Sequence, residues 1–164
     1  MTPALPVHGA MTRRRALLVL GAAAAALACG GTAASAPAPA AVAYGRDECD
    51  YCRMTIDDPA LAAQHVGADG RAHRFGEVGC LLAWLAERGA DGAAAGGTAF
   101  VAVPATAASS DPSWLAASSA RYARGIVRTP MRFDLTAHAP GGAAAATLDW
   151  ARLLREGKPR VSPT

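Results

Sequence analysis

The chain has 164 residues, of which 52% are apolar and 5% aromatic, with 16 Lys and Arg against 13 Asp and Glu. That length accommodates one ordinary domain plus a targeting segment and excludes a large multidomain enzyme, while the lack of sustained heptads excludes a coiled coil. The excess positive charge sits in Arg13, Arg14 and Arg15, within an acid-free stretch of 28 residues, and the remainder balances 13 basic against 13 acidic residues. No nucleic-acid partner is expected from such a balance.

Residues 1–28 read as an export signal peptide: three arginines, an apolar run over 16–28 interrupted by Gly21, and small residues before Cys29. The apolar run is shorter than the ~20 residues a membrane-spanning helix needs. Met11 offers an alternative start. Ala26-Leu27-Ala28-Cys29 resembles a bacterial lipobox, with Ala26 where leucine is usual, so Cys29 is the candidate lipidation site. The same residues also fit an ordinary signal-peptidase site. Thr12-Arg13-Arg14 fits either a twin-arginine or a general secretory signal. Residues 29–43, with their Ala, Pro, Gly and Ser, cannot bury enough to fold and read as a tether. The expected location is periplasmic, lipid-anchored to a membrane, with a folded domain over 44–160.

Within that domain, residues 44–56 read as a turn becoming a strand. Residues 62–66 and 71–75 flank Gly67-Ala68-Asp69-Gly70, a hairpin signal. Residues 77–88 read as a short helix with Cys80, Leu81, Trp84 and Leu85 on its buried side, closed by Gly89. A Gly/Ala loop over 89–98 leads to a buried strand over 98–103, stopped by Pro104. Asp111-Pro112 has the form of an N-cap and first-turn proline, which predicts a helix through Trp114 and Leu115. Strands are expected over 121–127 and 131–137, then a helix over 150–156 capped by Asp149 and ended by Gly157. The class is α+β, with small antiparallel sheets and short helices, and the order hints at two similar ββαβ-type units. The expected core rests on Phe75, Trp84, Phe100, Trp114 and Trp150.

The chemistry concentrates in Cys49-Asp50-Tyr51-Cys52-Arg53-Met54. In an exported chain a Cys-x-x-Cys reads as a structural disulfide, a redox dithiol or a metal clip. With Cys29 lipidated, Cys49, Cys52 and Cys80 form an odd set, so one thiol stays unpaired within the chain. A thioredoxin-like dithiol would open a helix, whereas Arg53-Met-Thr-Ile56 after this one reads as a strand. In a strand, Cys52 and Met54 would share a face, and thiolate with thioether selects Cu(I) over harder ions. Zinc competes through Cys49, Cys52, Cys80 and a histidine. Met54 and Met131 can equally be core methionines, and Cys80 a small buried residue at a helix start. His65 and His73, on opposite hairpin arms, are possible imidazole ligands or simple surface residues. No phosphate loop, nucleophile elbow or His-Glu-x-x-His is present, so no enzyme is expected.

Cys49-Asp-Tyr-Cys-Arg-Met-Thr-Ile, Ala63-Gln64, Phe75-Gly-Glu-Val-Gly-Cys-Leu-Leu-Ala-Trp84 and Thr129-Pro-Met131 together resemble the NosL family, over residues 45–155. Members of that family are copper-binding lipoproteins accessory to nitrous oxide reductase. The resemblance implies a Cu(I) metallochaperone that serves nitrous oxide reductase and its assembly ABC transporter. It implies two small α+β units distantly similar to part of the organomercurial lyases. Carried over by position, Cys52 and Met54 lead the ligand set and Cys49 follows, with Met131 or a histidine completing it. Arg132 stands where the resemblance leads one to expect glycine. The ligands do not encode the client, so a carrier for another copper enzyme, or a thiol-disulfide or structural lipoprotein using Cys49 and Cys52, are the alternatives. The expected assembly is a monomer or weak dimer.

Overall fold

A computed structural model describes residues 37–88, 96–104 and 112–162. The export signal, Cys29, most of the tether, the Gly89 stop and the Asp111 cap lie outside the described residues. Among the described residues no helix is long and apolar enough to cross a membrane.

The architecture is α+β, with two small antiparallel sheets and two short helices. The first sheet has the order β2-β1-β3-β4. β1 (Ala63–Gly67) and β2 (Ala72–Phe75) form the expected hairpin, in a register that sets His65 opposite His73. β3 (Gly97–Val103) pairs antiparallel with the other edge of β1. β4 (Ser113–Ala116) closes that side of the sheet. The second sheet joins β5 (Arg121–Arg124) to β6 (Leu135–His138). The first half therefore runs ββαβ. The second half runs through β4, a 3-10 turn at Ala117–Ser119, β5, β6 and a final helix, with no closing strand among the described residues.

Three expectations need correction. The strand expected over 131–137 starts only at Leu135, because the Thr129–Asp134 hydrogen bonds close the preceding residues into a turn. The predicted helix through Trp114 and Leu115 is strand β4, in which Trp114 pairs with Ala102 and Leu115 with Val101. Cap and proline signals alone do not offset the cost of nucleating so short a helix. The free edge of the buried strand β3 instead offers a full set of ladder partners. The strand expected within 44–56 is reduced to a single bridge between Glu48 and Thr55. Between them the chain turns back, with the Cys49 N–H donating to the Met54 carbonyl and the Arg53 N–H to the Cys49 carbonyl.

Helix α1 (Val78–Glu87) is buried along Val78–Leu85, as expected of a helix apolar on every side. It forms the centre of one core with Ile56, Phe75, Val101, Tyr122, Phe133 and Leu135. Phe75, Trp84 and Phe100 are buried as expected, and Trp114 and Trp150 pack against the core from its margin. Tyr122, fully buried, donates its hydroxyl to the Ala117 carbonyl at 2.7 Å. Helix α2 (Trp150–Glu156) begins at Asp149, whose carboxylate accepts the Arg152 N–H, and ends at Gly157. Ordered contacts start before residue 44. The amide of buried Gln64 exchanges two hydrogen bonds with the Ala40 backbone, at 2.9 and 2.8 Å.

Candidate metal centre

Three segments converge on one small cavity of about 100 Å³. The first is the Cys49–Met54 turn. Arg53 adopts φ +67, a left-handed conformation uncommon outside glycine, and this reverses the chain so that Met54 follows Cys52 into the cavity lining. The two residues thus meet through a turn, not through the two-residue repeat of a strand. The Asp50 N–H donates to the Arg74 carbonyl at 2.8 Å, which fastens the turn to the outer edge of β2.

The second segment is the start of α1. Cys80 lies in its first turn, fully buried. The Cys49, Cys52 and Cys80 sulfurs all lie within 4.8 Å of one another, and none is in a disulfide. The helix approaches the third segment closely because Gly79 has no side chain: a Cβ there would clash with the Cβ and Cδ2 atoms of Phe133.

The third segment carries Met131. Thr129 and Asp134 clamp it reciprocally: the Thr129 N–H donates to the Asp134 carboxylate at 3.0 Å and the Asp134 N–H to the Thr129 hydroxyl at 2.9 Å. Inside the clamp, Arg132 takes φ +59 and its N–H donates to the Thr129 carbonyl. Arginine here occupies a conformation suited to the glycine expected at this position. The turn places Pro130 and Met131 in the lining of the sulfur cavity. Met131 is partly buried, whereas Met54 is 45% exposed at the cavity margin.

The three thiols differ in character. The Cys80 thiol donates a hydrogen bond to the Cys49 sulfur, and the Cys52, Gly76 and Tyr51 N–H groups add to it; together they outweigh burial and draw Cys49 down to about 5. Cys80 is pushed far up, first because its proton is engaged by Cys49 and then by burial. Burial also raises Cys52. Without metal, the site therefore favours a thiolate at Cys49 and thiols at Cys52 and Cys80. Filling it with a metal would release protons from the latter. Three cysteines so placed can hold a metal ion.

Glu77 is the residue that sequence reading passed over. It precedes α1 without capping it, and its buried Oε1 lies 3.9 Å from the Cys80 sulfur. Its Oε2 has no hydrogen-bond partner among the described residues, and burial pushes the carboxyl above its ordinary value, outweighing hydrogen bonds from the Thr129 side chain and the Met131 N–H that favour the charged form. An acid at a helix start normally reads as a cap, so the residue pattern carried no signal of this role.

His65 and His73 do not line this cavity. They line a separate one beside Trp84, at the far end of the hairpin. The structure therefore gathers Cys49, Cys52, Cys80, Met54 and Met131, and keeps the histidines apart from them. No protein-family profile, curated protein or solved structure matches the chain.

Proposed function

We propose that this protein is a Cu(I) metallochaperone of the NosL type: a periplasmic, membrane-anchored binding protein, not an enzyme, that delivers copper for assembly of the nitrous oxide reductase centres. The observation that carries the reading is the sulfur cluster, three cysteines within 4.8 Å of one another with two methionines lining the same cavity. Thiolate and thioether donors favour a soft monovalent ion. A zinc site would add an imidazole or a carboxylate to the thiolates; among the described residues no histidine lines this cavity, so Asp57, Asp58 or Glu77 would have to complete it, whereas the two thioethers suit Cu(I).

Delivery requires that a tightly held ion can leave by ligand exchange. Met54 sits at the margin with nearly half its surface open, where an incoming donor can displace a weak thioether before the thiolates are touched. The Cys-x-x-Cys-x-Met, Gly-Cys and Pro-Met segments that resemble the NosL family are the same three that meet in the cavity. The client enzyme, the ABC transporter and the lipid anchor at Cys29 rest on that resemblance alone.

An anaerobic competition titration of the reduced full chain against a chromophoric Cu(I) chelator tests the reading, with Zn(II) in parallel. One Cu(I) per chain, with Zn(II) far weaker and Met54→Leu lowering the Cu(I) affinity, is the expected result. Preferred zinc binding, or no binding, overturns it.

The depressed Cys49 thiol favours a second reading, a thiol-disulfide protein, because a stable thiolate is also a nucleophile. A Cys49–Cys52 disulfide that forms reversibly in a glutathione buffer, together with absent Cu(I) affinity, would establish it instead.

A further inference from the structure

The second cavity, of about 430 Å³, opens between the β1–β2 turn and the end of α1. His65 and His73 face each other directly across the hairpin, a placement that sets Cβ atoms about 4.5–5.5 Å apart. Both rings lie against Trp84, with centroids at 5.4 and 4.6 Å, so both project from the same face of the sheet.

Each imidazole is held in place, and their nitrogens are not all engaged. His73 Nδ1 lies 3.0 Å from Asp50 Oδ2, and the same carboxylate oxygen accepts the Arg74 N–H at 3.1 Å, which fixes it in position. A histidine whose Nδ1–H is donated to a carboxylate presents Nε2 as a lone pair, the arrangement typical of metal-bound imidazoles. His65 is only 6% exposed, and its buried Nδ1 has no hydrogen-bond partner among the described residues. Gly97 on β3 makes room for the ring, since a Cβ there would lie 2.7 Å from Nε2. Burial, and then the neighbouring His73, push His65 below its ordinary value, which keeps the ring neutral.

The geometry points to a second metal site, separate from the sulfurs, in which His65 and His73 hold one borderline divalent transition ion and Asp50 orients His73. Imidazole donors suit Ni(II), Cu(II) and Zn(II). Two ligands leave coordination positions open to the cavity, where Arg71 and Arg88 at its rim suit an anionic co-ligand. The site stands independently of the Cu(I) reading.

Trp84, in contact with both rings, reports occupancy directly. The reduced full chain is titrated with Ni(II), a redox-inert paramagnetic quencher, while tryptophan emission is followed. Saturable quenching at one equivalent, reversed by excess Zn(II), retained in Cys52→Ser and lost in His73→Asn, is the expected result. Asp50→Asn weakens binding by about 10–100-fold, the usual cost of removing a carboxylate that orients a ligand. That variant decides the matter if circular dichroism shows that His73→Asn is misfolded. Quenching that survives in folded His73→Asn, that disappears in Cys52→Ser, or that never saturates overturns the site.

Discussion

Gly79 and Phe133 touch at a point where only a residue without a side chain fits. Because the α1 backbone lies directly on the Phe133 ring, the Thr129–Asp134 clamp comes down beside Cys80, and Met131 enters the sulfur cavity. Helix propensity alone would favour alanine over glycine at this helical position by about 1 kcal/mol. The contact reverses that sign, since overpacking costs about 1–3 kcal/mol. Gly79→Ala should therefore lower stability in chemical denaturation and, by displacing Met131, weaken metal binding as well. An alanine variant more stable than the parent would show that the Phe133 contact relaxes without cost.

The thiol trio imposes a pH dependence on the stability of the metal-free protein. Cys49 is drawn down to about 5 from an ordinary value of 9.0. Between those limits the unfolded chain holds a proton that the folded chain does not, so stability rises with pH across the window. Above it the sign reverses. Cys80 and Cys52, both raised, keep protons in the folded state that the unfolded chain releases, and their contribution falls. Denaturant midpoints measured from pH 5 to 10 in reductant should climb to near pH 9 and then drop. Cys49→Ser should flatten the climb, and an unchanged slope in that variant would count against a thiolate at Cys49.

How much of this was legible in the sequence depends on the range of the interactions involved. The β1–β2 hairpin, α1, β3 and the capped α2 follow from local chemistry: a turn tetrapeptide, an apolar run, and an Asp–Gly pair bracketing seven residues. Ser113–Ala116 could not be read that way, because a helix-start signal competed with a distant strand edge, and the edge won. The pairing of Cys52 with Met54 was anticipated for a reason the structure replaces, a left-handed Arg53 in place of a strand. The meeting of Cys80 with Cys49 and Met131 depends on contacts far apart in the chain. Residue pattern alone did not give their geometry: it joined Cys80 to Cys49 and Cys52 only as candidate zinc ligands, and Met131 joined the ligand set through the resemblance to a known family. Nothing in the sequence separated the histidines from the sulfurs; that follows from the register of the hairpin and the position of Trp84.

Arg53 offers a test of that turn. Its side chain is exposed, and its N–H donates to the Cys49 carbonyl at 3.0 Å, a bond glycine would keep. A left-handed conformation costs a non-glycine residue roughly 1–2 kcal/mol, part of which the greater freedom of glycine in the unfolded chain offsets. Arg53→Gly should thus raise stability by about 0.5–1 kcal/mol on balance. Cu(I) affinity should stay unchanged, because the ligand positions are set by the backbone. A loss of stability would mean that the arginine side chain contributes contacts that outweigh its backbone strain.

Glu77 provides the opposite case, a charge that the fold tolerates at a cost. Burial raises its carboxyl above the ordinary 4.5, which means that the folded state favours the protonated form. A raised acid contributes stability at low pH that is lost as pH climbs through its folded value. At pH 8 the carboxylate is buried with Oε2 unpartnered among the described residues, and an unsatisfied buried polar group costs about 1–3 kcal/mol or more when charged. Glu77→Gln has nearly the same shape and no charge. It should match the parent at pH 4 and exceed it at pH 8, by an amount of that order, in thermal or urea denaturation. Equal stability at both pH values would mean that solvent or a bound ion satisfies the carboxylate, whereas lower stability at pH 8 would mean that its charge is held favourably beside Cys80.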